Sequence, residues 1–126
     1  FMILLLVTSS PHSHAGKLAV EYATKQLHLG NQISVFFYGD GAYTANRLMW
    51  QTADVPSVAK QWQALSNNHG ITLPVCVSTA LARGVCDAQN ATRHGLIGDN
   101  LLPPFSLVGL SELAMMIDDT TSVVQF

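Results

Sequence analysis

Two cysteines are the residues of this sequence best suited to covalent chemistry. Cys76 follows the apolar segment that begins at Ile71 and shortly precedes a helical pattern, and Cys86 lies beyond that pattern. A cysteine between a strand end and a helix start lies near unpaired backbone N–H groups and the positive end of the helix dipole, and both favour a nucleophilic thiolate. Cys76 is therefore a candidate nucleophile. The alternative is that it is a small, buried apolar residue, as many unpaired cysteines are.

Six further residues lie at or after predicted strand ends and could support a site there. They are Ser78, Thr79 and Arg83 after the third predicted strand, Tyr38 at the end of the second, and Tyr43 and Asn46 beyond it. We expect Ser78 or Thr79 to cap a short helix over 80–83. Arg83 would add positive charge near Cys76 if the fold directs it back. The two tyrosines and Asn46 would form one wall of the site.

The remaining candidates for metal or cofactor chemistry are weak. Cys86 does not form a CxxC pair with Cys76, so we interpret it as structural. His12 and His14 can present two imidazoles on one side of a loop, but a metal site needs three or four ligands. The glycine-rich turn 39–41 has neither the dinucleotide-binding fingerprint nor the Walker lysine. We therefore predict no metal and no cofactor.

The spacing of apolar residues alternates between strand and helix along the chain. Strands are predicted over 2–7, 33–38, 71–77 and 122–126, and helical patterns over 15–27, 58–69, 80–83, 88–94 and 110–117. This alternation is typical of a three-layer α/β/α sandwich with a mainly parallel sheet of four or five strands. The length of 126 residues suits a single domain spanning 1–126.

The predicted fold indicates where a site should lie. In parallel sheets, sites lie at the carboxyl ends of strands, near the point where the strand order reverses. That rule directs attention to the loops after Val7, Tyr38 and Val75. Pro74 predicts in addition that the third strand is an edge strand or irregular, because proline cannot donate to a sheet ladder.

The composition limits the classes of protein to which this chain can belong. Apolar residues make up 48% of the sequence and charged residues only 11%, against ~25% charged in typical domains. Such a chain folds rather than staying disordered. Six Lys and Arg against eight Asp and Glu leave no basic stripe for binding nucleic acid directly. Few charges also leave apolar surface, which usually marks partner interfaces, so we expect an oligomer.

The same features predict a soluble protein of the cytoplasm. The apolar run 1–7 is too short to span a bilayer and lacks the basic flank of a signal peptide. Two cysteines in a domain of this size do not make a disulfide framework, which fits a reducing compartment.

Three segments taken together resemble the DsrE/TusD family of sulfur-relay proteins. They are 36–46 (FFYGDGAYTAN), 75–85 (VCVSTALARGV) and 123–126 (VVQF). The resemblance extends over nearly the whole chain and implies a DsrE-like domain of flavodoxin-like topology. The sulfur-accepting cysteine of that family corresponds to Cys76. Cys86 and the loop with His12 and His14 lie outside the family pattern.

The resemblance implies a sulfur relay. Cys76 would accept sulfane sulfur as a persulfide and pass it to an acceptor protein thiol, for synthesis of 2-thiouridine at the tRNA wobble position. The implied partners are TusB-like and TusC-like sister subunits in a heterohexamer, a TusA-like donor and a TusE-like acceptor. Two alternatives share the fold: a non-catalytic scaffold subunit, and a DsrEFH-type sulfur-oxidation relay. A module that binds a small ligand or nucleotide is a more distant alternative.

Overall fold

Strands and helices alternate along the whole chain. The computed structural model describes residues 1–126. The strands are β1 (Met2–Val7), β2 (Ile33–Phe37), β3 (Leu73–Cys76), β4 (Phe105–Val108) and β5 (Thr121–Gln125). The α-helices are α1 (His14–His28), α2 (Val58–His69), α3 (Val77–Ala82), α4 (Ala88–His94) and α5 (Ser111–Met115), and a 3-10 helix covers Gly39–Ala45. The predicted α/β class is confirmed.

All five strands form one parallel sheet in the order β4-β3-β2-β1-β5. The first three crossovers move in one direction across the sheet, and the last returns to the far side of β1. Because such crossovers are right-handed, this reversal places α5 on the face opposite α1 and α2. The predicted three-layer sandwich is confirmed. The strand order is not the 2-1-3-4-5 order of flavodoxin, because the chain reverses only at its last crossover.

The two faces of the sheet are covered very unequally. Side chains alternate between the faces along each strand, and the face under α1 and α2 carries the main core, which includes Phe37 and Trp62 with ring centroids 5.3 Å apart. The second face carries a small cluster of three buried residues, Leu4, Phe36 and Cys76. The apolar stripe of α1 and α2 therefore supplies most of the burial.

The predicted helix ranges 58–69 and 88–94 match α2 and α4. Asp87 caps α4, where its Oδ1 accepts a hydrogen bond of 2.8 Å from the N–H of Asn90. Gly70 ends α2 in the left-handed conformation, with φ of 71°, which glycine adopts without strain. The α1 helix extends one residue beyond the predicted range 15–27 at each end, and its C-cap is Leu29.

Two details of the third and fourth strands differ from the prediction. β4 had not been predicted, and it follows Pro103 and Pro104 as a segment of only four residues. With β4 in place, β3 is an interior strand, so Pro74 does not mark an edge. The predicted irregularity is present, since β3 pairs with β2 only through Phe37 and Val75.

None of the helices is long and apolar enough to span a lipid bilayer.

Candidate functional site

Cys76 lies where the sequence placed it, between a strand and a helix. It is the last residue of β3 and the N-cap residue of α3. Its side chain makes no capping hydrogen bond to the helix. Instead, the residue is only 2% exposed and belongs to the buried cluster with Leu4 and Phe36. The strand-end position is the predicted one, but the immediate surroundings of the thiol are apolar.

Thr79 joins the end of β3 to the start of the 3-10 helix. Its Oγ1 donates a hydrogen bond of 3.3 Å to the carbonyl of Cys76 and accepts one of 3.2 Å from the N–H of Gly39. The prediction that Ser78 or Thr79 caps the helix is wrong, because α3 begins at Val77, one turn earlier than predicted. Ser78 is exposed. Thr79 therefore holds the backbone of Cys76 rather than the helix terminus.

Arg83 points to the 3-10 helix and links it to α3. Its Nε donates to Asp40 Oδ1 at 3.0 Å, and its Nη1 donates to the carbonyl of Thr79 at 3.1 Å. The guanidinium carbon lies 5.9 Å from the centroid of the Tyr43 ring, within the range of a cation–π contact. The charged group of Arg83 thus contacts Asp40 and Tyr43. Its link to Cys76 is indirect, through the hydrogen bonds of Thr79.

The 3-10 helix is docked tightly against the end of β1. The N–H of Tyr38 donates to the carbonyl of Val7 at 2.9 Å. A Cβ atom at Gly41 would lie 2.1 Å from that same carbonyl oxygen, so only glycine fits there. Tyr38 and Tyr43 remain exposed at this end of the sheet.

Asn46 takes part in a second group of polar residues, around Cys86. Its Oδ1 accepts hydrogen bonds from the N–H of Leu48 at 2.9 Å and from Nδ2 of Asn100 at 3.1 Å. Asn100 Oδ1 in turn accepts one of 2.8 Å from the N–H of Cys86. These bonds tie the loop after the 3-10 helix to the loop that precedes β4.

Cys86 is a buried thiol beside two carboxylates. Burial raises the pKa of the Cys86 thiol, and the charges of Asp87 and Asp99 raise it further. The thiol donates to the carbonyl of Asp87 at 3.2 Å. A surface cleft of about 370 Å³, lined among others by Leu81 and Asn100, opens beside it. Both cysteines are free thiols.

The structure brings together no three His, Cys, Asp or Glu side chains that could hold a metal ion. His12 and His14 are exposed, and His14 opens α1. Ser13, which lies between them, is the N-cap residue of α1, and its hydroxyl accepts a hydrogen bond of 3.0 Å from the N–H of Gly16.

Sequence reasoning missed two residues that organise the site. Asp40 lies in the predicted turn 39–41, and it is the ion-pair partner of Arg83. Asn100 lies between two predicted helical patterns, and it bonds to Cys86, Asn46 and the carbonyl of Gly84. Both sets of contacts join residues that are far apart in the chain, so the local spacing of residues does not predict them.

Comparison with known proteins decides the family. The model of the DsrE/DsrF-like family matches residues 2–126. The chain belongs to the DsrE/DsrF-like family. Sulfurtransferase TusD of Pectobacterium atrosepticum is 40% identical to it over 124 residues, which cover 97% of this chain and 96% of that protein. Sulfurtransferase TusD of Salmonella arizonae is 42% identical over 109 residues, which cover 86% of this chain and 85% of that protein.

A solved structure shares the DsrE/DsrF-like fold. The crystal structure of the ychN protein from E. coli matches with a TM-score of 0.70, covering 99% of this chain and 97% of that one, at 12% sequence identity. That likeness shows the fold alone. The family resemblance predicted from three short segments is confirmed, and with it the assignment to the sulfurtransferases.

Proposed function

We propose that Cys76 is the residue of this sulfurtransferase that carries the sulfur. The observation that supports it is the position of Cys76 at the carboxyl end of an interior strand and at the N-cap of α3, in a chain whose relatives are sulfurtransferases. Cys86 is the weaker candidate, because burial and the charges of Asp87 and Asp99 raise the pKa of its thiol. A raised pKa lowers the fraction of thiolate, which is the nucleophile in sulfur exchange.

The proposed reaction is two successive exchanges at sulfur. The Cys76 thiolate attacks the outer sulfur of a donor persulfide, so that the donor S–S bond breaks, a Cys76 S–S bond forms and the donor leaves as a thiolate. An acceptor thiolate then attacks the outer sulfur on Cys76 and releases the Cys76 thiolate. Neither step changes the overall oxidation state, so no metal or redox cofactor is required.

The proposed partners follow from the family. We assign TusB-like and TusC-like sister subunits in a heterohexamer, a TusA-like donor and a TusE-like acceptor, with 2-thiouridine of tRNA as the final product and the cytoplasm as the compartment. The low charge of the chain supports assembly with other proteins. So do large exposed apolar side chains, among them Trp50, which is 82% exposed, and Met115, which is 80% exposed.

One observation favours a second candidate function. Cys76 is 2% exposed, and a cysteine that never reaches another protein would leave this chain as a scaffold for a catalytic sister subunit. The scaffold proposal predicts that sulfur transfer does not depend on the Cys76 thiol.

Reconstitution of the complex separates the two candidates. Cys76→Ser keeps the size of the side chain and removes the sulfur, and Cys86→Ser is the matched control at the other cysteine. We expect Cys76→Ser to abolish sulfur transfer from the donor to the acceptor, and Cys86→Ser to leave most of it. Transfer at the wild-type rate with Cys76→Ser would establish the scaffold role instead.

A further inference from the structure

The α5 region packs on the buried cluster that contains Cys76 on the second face of the sheet. The cluster consists of Cys76, Leu4 and Phe36, and the residues packed against it are Leu6, Val108, Leu113 and Met116, of which the last two belong to the α5 region. Sulfur exchange requires the outer sulfur of the donor to touch the Cys76 sulfur along the S–S axis. With Cys76 2% exposed, that approach is closed, so part of the cover has to move.

The α5 helix is the most weakly attached part of that cover. It has only five residues, none of them is buried, and Leu110 at its N-cap provides no side-chain hydrogen bond. Helices this short are not stable in water without tertiary packing. Segments with little buried apolar surface open locally at a small cost in free energy. The packing of Leu113 and Met116 is therefore what keeps α5 in place.

The two ends of the α5 segment are held differently. After the helix, Asp118 Oδ1 accepts hydrogen bonds from the N–H of Thr120 at 2.8 Å and from Oγ1 of Thr121 at 3.0 Å. Thr121 also starts β5, which pairs with β1. Before the helix, Gly109 is exposed, and an added Cβ there would meet nothing closer than 3.5 Å. Gly109 directly follows Val108, which pairs with Cys76 in the sheet. Both ends of the segment are therefore attached to strands, and Gly109 is the loosely packed joint at its N-terminal end.

We propose that residues 109–117 form a lid over the cluster that contains Cys76, which opens by movement at Gly109 and at the 118–121 turn to admit a persulfide and then closes again. The proposal rests on the proposed role of Cys76 as the sulfur carrier. In the closed state, Leu113 and Met116 would shield a Cys76 persulfide from small thiols in solution. In the open state, the same sulfur would be accessible to a protein donor or acceptor.

Alkylation of Cys76 by iodoacetamide, followed by mass analysis of its peptide, tests the lid without any sulfur transfer. Met116→Ala removes a side chain that packs only in the closed state, and Met115→Ala is the matched control, since Met115 is 80% exposed on the same helix. The partly buried Met116 side chain packs against the cluster only in the closed state. Its truncation therefore destabilises the closed state alone, and we expect Met116→Ala to accelerate alkylation about tenfold. Met115→Ala should stay within about twofold of the wild type.

Ala114→Gly provides a second variant that leaves every cluster contact intact. Ala114 is exposed within α5, and glycine there disfavours the helix itself, so alkylation of Cys76 should rise up to about fivefold. In all variants, the lid requires a weak urea dependence of the alkylation rate, because local opening exposes much less surface than global unfolding.

Three results would overturn the lid proposal. The first is alkylation of wild-type Cys76 as fast as in the unfolded chain, and the second is alkylation with the full urea dependence of global unfolding. The third is equal acceleration of alkylation by Met115→Ala and Met116→Ala. None of these results bears on whether Cys76 receives sulfur. Conversely, lid opening as expected with no persulfide ever formed on Cys76 would refute the proposed function and leave the lid standing.

Discussion

The surroundings of Cys86 raise the pKa of its thiol, whereas Cys76 lies in an apolar cluster with Leu4 and Phe36. Burial raises the pKa of Cys86, and Asp87 and Asp99 add to that effect. A thiol that stays protonated at neutral pH is a poor nucleophile. The two cysteines are therefore distinguished at the scale of single residues, with Cys86 contributing to the fold.

The raised pKa of Cys86 predicts a loss of stability at alkaline pH. A folded state that favours the protonated thiol has its full advantage below the pKa of the unfolded chain, and loses it as the pH rises toward the raised pKa of the folded chain. We expect the free energy of unfolding of the wild type to fall with pH in that alkaline range, and the Cys86→Ala variant to fall less. Urea unfolding at a series of pH values measures the difference. Parallel curves for the two proteins would show that Cys86 titrates normally.

Arg83 is expected to stabilise the site through the shape of its guanidinium group rather than its charge. It donates in two directions, to Asp40 and to the carbonyl of Thr79. Because the Asp40 side chain is largely exposed, the ion pair itself is worth little. We expect Arg83→Ala to lower the free energy of unfolding by about 1 kcal/mol, and Arg83→Lys to lose most of that amount, since lysine lacks the planar fork. A lysine variant as stable as the wild type would assign the effect to charge.

At the scale of elements, the 3-10 helix positions the residues around Cys76 because it docks on β1 and α3 together. Tyr38 and Gly41 fix it to the carbonyl of Val7, and Gly39 fixes it to Thr79. Thr79 then bonds to the backbone of Cys76. The contacts therefore run from the end of β1 through the 3-10 helix and Thr79 of α3 to the end of β3.

Gly41 is the position at which this docking can be broken. A Cβ atom there would lie 2.1 Å from the carbonyl oxygen of Val7. Because Val7 belongs to β1, its backbone could move away only by disturbing the pairing of β1 with β2. We expect Gly41→Ala to lower the free energy of unfolding by more than ~2 kcal/mol, measured by urea unfolding. Gly109→Ala is the control, because its Cβ would meet only the Ser111 hydroxyl at 3.5 Å. Equal stability of the two variants would contradict the tight docking.

The sequence predicted the long elements well because each carries a complete periodic pattern. The stripe of α2 with Val58, Trp62 and Leu65 is all buried in the structure, and Gly70 ends the helix as expected. Strand β4 was missed because its four residues are too few to show alternation, and they follow two prolines. Its status as a strand depends on pairing with β3, which no local pattern reveals.

The candidate site was predicted in position but not in surroundings. The end of a strand followed by a helix located Cys76 correctly. The apolar cluster around it depends on which strands are neighbours and on α5 crossing the second face, and both follow from the strand order. The partnership of Arg83 with Asp40 likewise joins residues that are far apart in the chain. The spacing of residues along the chain does not predict tertiary contacts of this kind.

At the scale of the whole molecule, the sheet has one well-covered face and one thinly covered face. The thin face carries Cys76. The α5 region and β5 carry four exposed apolar residues: Leu110, Met115, Ile117 and Val123. Only 11% of the chain is charged, so little on this surface opposes contact with other proteins. The arrangement suits a subunit whose chemistry takes place between proteins.

Mass mapping of persulfide sulfur tests the central claim, that Cys76 carries the sulfur, most directly. The purified chain is incubated with cysteine, a cysteine desulfurase and a TusA-like carrier, and its peptides are analysed without reduction. The account predicts one additional sulfur atom on the peptide that contains Cys76, retained in Cys86→Ser and absent in Cys76→Ser. Additional sulfur on the Cys86 peptide, with none on the Cys76 peptide, would contradict it.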